Sequence, residues 1–170
     1  MKILLIEPAK SPVSMAGEDV FLFEPLALEY VAAGVKDDHE VRILDQRVDD
    51  RVEETLEEFC PDVVGITGYT VHANRMKLLA ELAKAWNPDV LTVVGGHHAT
   101  VAPHDFECPH IDLVVVGEGV DSFREVVRRF DVCEGFDGIP GVWVNTDRGL
   151  RKARTTRREI WMISHSRTGR

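Results

Sequence analysis

The sequence predicts an α/β domain built on a doubly wound, five-stranded parallel sheet, with a small C-terminal β-hairpin after the fifth strand. Three observations predict it. Apolar runs of strand length recur along the chain, stretches with helical periodicity separate them, and most of the runs are unbroken Val/Ile/Leu. Unbroken runs suit parallel strands covered on both faces, and strict alternation of strand and helix implies right-handed crossovers.

Strands are expected at 2–7, 41–45, 62–67, 90–95 and 111–117. In the first interval Pro25 stands where a helical turn begins, ahead of the apolar stretch 26–35. In the next, Val52, Leu56 and Phe59 share one stripe while Glu53, Glu54, Glu57 and Glu58 face water. Leu79, Leu82, Ala83 and Trp86 form the third helix's stripe, stopped by Asn87-Pro88. Segment 101–108 is ambiguous, with room for one helical turn. Phe123, Val126, Val127 and Phe130 form the last stripe, with Arg128 and Arg129 near its C-terminus and Asp121 or Ser122 available as a cap. After Pro140, segments 141–145 and 150–153 flank a Thr146-Asp147-Arg148-Gly149 turn and read as a hairpin at the sheet edge. Five strands in this sequence fit a flavodoxin-like (Rossmann-like) doubly wound fold.

Length and composition agree with one globular domain: 170 residues, 44% apolar and 29% charged. No apolar run approaches ~18 residues, and Met1–Ile6 is too short for a signal peptide, so a cytoplasmic location without membrane contact is expected. The net charge of −9 is uneven. Residues 151–170 hold seven Lys/Arg against Glu159 alone, leaving 13 bases and 28 acids in the first 150 residues. Such a body repels nucleic acid and anionic lipid. Residues 1–153 are therefore read as the domain, and 154–170 as a basic tail expected to be disordered; contact with RNA or a partner is the other reading of it. Cys60, Cys108 and Cys133 are odd in number and widely spaced, as suits reduced thiols and not a disulfide frame or a zinc site.

In an open α/β sheet, ligands bind beyond the carboxyl ends of the strands. The first such loop, 8–24, is long, and Met15, Val20, Phe21, Leu22 and Phe23 could close over a flat ligand or pack on the domain's own top edge. Gln46-Arg47 follow the second strand. After the third come Thr67, Gly68, Tyr69 and Thr70, where a glycine permits close approach of backbone and hydroxyls can donate to buried polar groups. After the fourth come Gly95, Gly96, His97, His98 and Thr100. Adjacent histidines point apart and have no partner at ligand spacing, which argues against zinc and leaves one of them to contact a cofactor. After the fifth come Gly117, Glu118 and Gly119; the acid either faces the cleft or is solvated at a strand-to-helix turn.

The order of these segments carries a resemblance. Phe23-Glu24-Pro25-Leu26-Ala27-Leu28-Glu29-Tyr30-Val31-Ala32-Ala33 resembles the P-L-G-L-x-Y-L-A-A segment of the cobalamin-binding N-terminal domain of cobalamin-dependent radical S-adenosylmethionine enzymes. Cys60-Pro61-Asp62-Val63-Val64-Gly65-Ile66-Thr67 is similar to its R-P-D-V-V-G-I-S/T, and Gly95-Gly96-His97-His98-Ala99-Thr100 to its G-G-x-H-x-T. Val116-Gly117-Glu118-Gly119-Val120-Asp121-Ser122-Phe123 resembles V-x-G-E-G-E-x-T-F, and Ile139-Pro140-Gly141-Val142 resembles I-P-G-I/V. The matches span residues 2–153 and are most similar to the group containing the anaerobic magnesium-protoporphyrin monomethyl ester cyclases and related methyltransferases.

The resemblance implies a cobalamin over the carboxyl ends of the strands, with its dimethylbenzimidazole tail threaded between residues 67–70 and 95–100. It implies cofactor-binding roles for Thr67, Gly68, Tyr69, Thr70, Gly95, Gly96, His97, His98, Thr100, Gly117, Glu118 and Gly119. Where some corrinoid domains carry D-x-H-x-x-G with a histidine on cobalt, this chain reads Glu7-Pro8-Ala9-Lys10-Ser11-Pro12. Base-off binding without a histidine ligand is expected, with His97 or His98 at the cofactor's periphery. Bulky substitution of Gly95 or Gly96 is expected to abolish retention without unfolding the domain.

Two departures stand out. Val120 replaces an acid, and the C-x-x-x-C-x-x-C iron–sulfur motif is missing, the chain ending Trp161-Met162-Ile163-Ser164-His165-Ser166-Arg167-Thr168-Gly169-Arg170. No iron–sulfur cluster is expected in this chain, so its own activity is binding, with a radical S-adenosylmethionine domain or subunit completing the chemistry. The chain is then either a truncated domain or a free-standing corrinoid carrier. A flavin mononucleotide carrier of the same fold would want a hydroxyl-rich phosphate loop where this chain has Pro8-Ala9-Lys10-Ser11-Pro12. A phosphorelay receiver would want an Asp where Thr67-Gly68 stands. A ligand-free interaction module remains the third alternative.

Overall fold

The computed structural model describes residues 1–9 and 24–153; the loop residues 10–23 and the basic tail 154–170 lie outside the described residues, and with them the apolar flap expected from Met15 to Phe23. Along the chain run β1 (Lys2–Glu7), α1 (Leu26–Ala33), β2 (Glu40–Asp45), α2 (Val52–Phe59), β3 (Val63–Ile66), α3 (Ala73–Trp86), β4 (Leu91–Val94), α4 (His97–Val101), β5 (Leu113–Val115), α5 (Gly119–Asp131), β6 (Val142–Thr146) and β7 (Gly149–Lys152). Short 3-10 turns lie at Thr70–His72 and Pro103–Phe106.

The strand order is β2-β1-β3-β4-β5-β6-β7, with the first five strands parallel as expected. Chain direction across the sheet reverses between β1 and β3, which puts the crevice of a doubly wound sheet at their carboxyl ends. The hairpin does more than cap the edge. β6 pairs antiparallel with β5, Val115 opposite Val142, so the sheet continues to seven strands. Asn145 Nδ2 fastens it from below, donating to the carbonyls of Phe106 (2.9 Å) and Ile111 (2.7 Å).

Strand alternation divides the core between the two faces. Leu4, Ile6, Val64 and Val94 pack with α2 and α3 on one side, while Ile3, Leu5, Val93 and Val115 pack with α1 and α5 on the other. The stripes of α2 and α5 are as the spacing predicts, and Thr55 joins the buried face of α2. On α3 the buried stripe is Met76, Leu79, Ala80 and Ala83; Leu82 and Trp86 are only partly covered, a rotation of about one position toward the N-terminus. Two local readings are revised. Neither Asp121 nor Ser122 caps α5: Ser122 Oγ donates to the Pro140 carbonyl (2.7 Å) and holds the hairpin approach, and Asp121 pairs with Arg124. Helix α4 starts at His97, immediately after the paired glycines, so segment 101–108 contains its last residue and a 3-10 turn.

Candidate cofactor-binding site

A cavity of about 170 Å³ opens at the carboxyl ends of β3, β4 and β5, on the sheet face covered by α1 and α5. Its floor is Leu5, Val93, Val115 and Phe123, and Leu28 and Val31 of α1 close its side. Gly65, Gly95, Gly96, Gly117 and Gly119 line it without side chains, and Thr67 supplies its one polar side chain among the described residues. An apolar cavity of ~150 Å³ is enough to take a single benzene ring. The space therefore suits one flat aromatic group, and anything as broad as a corrin ring has to lie outside it, over the strand ends.

Each glycine is explained by a different neighbour. Gly65 faces the cavity floor from within β3, where a Cβ would stand 2.7 Å from Leu5 Cδ2 and 3.4 Å from the Phe123 ring. At Gly96 (φ +90°, ψ −165°) a Cβ would collide with Thr67 Oγ1 and lie 3.0 Å from the backbone nitrogen of Gly68. That backbone region is essentially glycine-only. Gly96 is thus required by the protein's own packing, and the expectation that it could be enlarged without harm to the fold does not hold; nor does a tail threaded between residues 67–70 and 95–100, because Gly96 lies against Thr67 and Gly68 and His98 N–H donates to the Gly68 carbonyl (3.2 Å). Gly95 differs. It has no positive φ, it shares Val93's side of β4 by strand alternation, and a Cβ there meets only Val115, at 3.8 Å. The room above Gly95 belongs to the cavity.

The two histidines point apart as adjacency demands. His97 is exposed at the rim beside Tyr69, ring centroids 5.9 Å apart, and Tyr69 itself is 63% exposed. His98 is buried on the opposite side, its ring edge-on to Phe106, with Nε2 3.0 Å from Asp105 Oδ2 and Nδ1 3.2 Å from Thr70 Oγ1. A carboxylate can only accept, so Nε2 donates to Asp105, while Nδ1 pairs with the Thr70 hydroxyl. His98 clamps the loop after β3 to the 3-10 turn after α4, with both ring nitrogens occupied. His98→Ala is expected to lose about 2–4 kcal/mol in chemical denaturation, chiefly from the packing of the buried ring and secondarily from its two hydrogen bonds, since Thr70 and Asp105 stay exposed to water.

Thr100 has a comparable role: its hydroxyl donates to the Gly96 carbonyl (2.9 Å) and accepts from Gly117 N–H (3.0 Å), tying the rims after β4 and β5 together. Gly68 packs against Met76 and His72. Glu118 is exposed at the rim. Thr67, Gly95, Gly96, Gly117 and Gly119 thus converge on the cavity, Tyr69, His97 and Glu118 stand on the rim, and Gly68, Thr70, His98 and Thr100 hold the loops in place. Leu5, Leu28, Gly65 and Phe123 were not foreseen as site residues. The one available signal was an isolated glycine inside the apolar run Val63-Val64-Gly65-Ile66.

Beside the cavity, at the ends of β1 and β2, burial pushes the Glu7 carboxyl up to about 6; the Arg47 guanidinium opposes this and the Asp45 carboxylate adds to it. Asp45 itself is held low by its paired hydrogen bonds from Arg47, 2.8 and 2.7 Å. The native state retains the Glu7 proton up to about 6 while the unfolded chain releases it near 4.5. This contribution to stability is present below 4.5 and is lost as pH rises through 6. Glu7→Gln should therefore stabilise by on the order of 1 kcal/mol near about pH 7.5, given partial solvent screening, and have no effect near about pH 4. Urea unfolding at the two pH values measures it. Nearby, Gln46 is 5% exposed; its Oε1 accepts from Ala9 N–H (3.4 Å) and Arg75 Nε (3.2 Å), joining the start of the first loop to α3.

A family model for the B12 binding domain matches residues 14–127. The chain belongs to the B12-binding domain family. An uncharacterized methyltransferase from Pyrococcus horikoshii is 36% identical over 153 residues, covering 84% of this domain and 32% of the relative. The anaerobic magnesium-protoporphyrin IX monomethyl ester cyclase of Rubrivivax gelatinosus is 36% identical over 85 residues, 49% of this domain and 15% of the cyclase. The radical S-adenosylmethionine methyltransferase TsrM from Kitasatospora setae, in a structure with cobalamin and a [4Fe-4S] cluster, superposes with a TM-score of 0.73 at 24% identity, over 91% of this domain and 29% of TsrM. That likeness shows a common fold. This B12-binding domain spans about a third or less of the length of each relative.

The residues present fit the family's cofactor. The cavity is apolar and open at the strand ends, its mouth is lined by glycines over which an extended arm can pass, and the room above Gly95 is a cradle that a side chain would fill. No described helix is long and apolar enough to cross a membrane.

Proposed function

We propose that residues 1–153 hold cobalamin base-off, with the dimethylbenzimidazole tail in the cavity between the sheet and α1/α5 and the corrin over the strand ends. The observation that carries this is the apolar cavity beneath a glycine-lined rim, on a domain whose family binds B12. Leu5, Val93, Val115 and Phe123 receive the base, and Gly95 and Gly117, where a Cβ would meet little or nothing, leave passage for the nucleotide arm. Tyr69, His97 and Glu118 face the corrin edge.

The loop 8–24 holds no histidine, and His98 is committed to Asp105 and Thr70, which supports cobalt without a protein imidazole. Bound cobalamin supplies a cobalt centre suited to methyl transfer. The domain's part is to bind and orient it for a radical S-adenosylmethionine methyltransferase or cyclase, whose catalytic domain or subunit lies beyond the residues described. The free thiols of Cys60, Cys108 and Cys133 support a cytoplasmic setting.

Incubation with hydroxocobalamin, desalting and a visible spectrum tests the reading. Retained pigment with a base-off spectrum is the expected result. Release of all the pigment would favour an interaction module, and a yellow protein as purified would favour flavin; either outcome overturns it.

A further inference from the structure

We infer that the cavity selects the lower base of the corrinoid, taking benzimidazole-type bases and rejecting purines. This rests on the cobalamin reading above and adds ligand chemistry to it.

Dimethylbenzimidazole and adenine are flat bicycles of similar size, so size alone does not separate them. Polarity does. The deep end is hydrocarbon: Leu5 and Val93 from the sheet, Leu28 and Val31 from α1, Phe123 from α5. The far edge of dimethylbenzimidazole is a methylated carbocycle, which this lining can cover. The far edge of adenine carries an exocyclic amine and two ring nitrogens, and no side chain at that depth can pair with them. Each polar group buried unmet weakens binding by about 5- to 150-fold.

The single polar side chain is well placed for the other half of the base. Thr67 lies one residue beyond β3, at the mouth, where the five-membered ring and its unsubstituted nitrogen would come to rest. Its hydroxyl takes part in no hydrogen bond among the described residues. In the base-off state that ring nitrogen has no cobalt to bind, and Thr67 Oγ1 can donate to it.

Binding isotherms, read from protein fluorescence, are to be compared for cobalamin, for an adenine-base cobamide and for cobinamide, which lacks the nucleotide arm. Cobalamin is expected to bind about 10- to 100-fold more tightly than the adenine-base cobamide, with cobinamide near the latter. Thr67→Val, which keeps the volume, should narrow the cobalamin-over-cobinamide ratio by about 3- to 10-fold. Equal binding of the adenine-base cobamide and cobalamin would overturn base selection while leaving cobalamin binding in place. Equal binding of cobinamide and cobalamin would overturn insertion of the base, and failure of all three to bind would overturn the cobalamin reading beneath it.

Discussion

Gly95→Leu is expected to abolish cobalamin retention while leaving the domain folded. The backbone at Gly95 is of a kind any residue adopts, and a Cβ there meets only Val115 at ordinary contact distance. The remaining atoms of a leucine side chain project into a cavity of about 170 Å³ that is already apolar. Filling such a space is neutral or mildly stabilising for the protein alone. It removes the volume a base would use, so the ligand has to give up the burial of a whole aromatic group, a loss of about 100-fold in affinity that leaves it no better held than cobinamide. Desalting after incubation with hydroxocobalamin, beside a thermal melt of the same sample, measures both halves. A folded variant that keeps its pigment would place the base elsewhere.

The neighbouring glycine should behave in the opposite way. Gly96→Ala is expected to destabilise the domain by at least about 3 kcal/mol even in the absence of any ligand. Thr67 Oγ1 could turn away from the new methyl group, but the backbone of Gly68, 3.0–3.1 Å from it, cannot, and φ +90° with ψ −165° is unfavourable for any L side chain. For a domain of this size the melting temperature should fall by roughly 6–12 °C. A change of less than about 2 °C would show that the β4–α4 turn relaxes freely. Two adjacent glycines thus serve different ends: one makes room for a ligand, the other lets two loops of the protein touch.

That distinction could not be read from the paired glycines themselves. Gly95 and Gly96 are equivalent in the sequence, and only the packing of the β4 turn on Thr67-Gly68 separates them. The histidines are similar. Adjacency alone says that His97 and His98 point apart, but which one is buried follows from a five-residue helix starting right after Gly96, too short to show a period. The sheet was legible because its signal is local: unbroken runs such as Ile3–Ile6 and Leu113–Val116 declare strands covered on both faces. Helix α3 was legible at its C-terminal stop and off by a position in rotation, because Leu82 and Trp86 are apolar without being deeply buried. The cavity was least legible of all. Leu5, Leu28, Gly65 and Phe123 come from four elements far apart in the chain and look, each alone, like ordinary core. The rim was visible because glycines and hydroxyls gather at strand ends, and the depth beneath it was not.

The central claim is that an aromatic base occupies the space between β3–β5 and α1/α5. A crystal structure of the protein grown with cobalamin tests this most directly. Density for the bicyclic base between Gly95 and Phe123, with cobalt carrying no protein nitrogen beneath it, is the predicted result. A corrinoid seated base-on, with Leu5, Leu28 and Phe123 closed over an empty space, would contradict it.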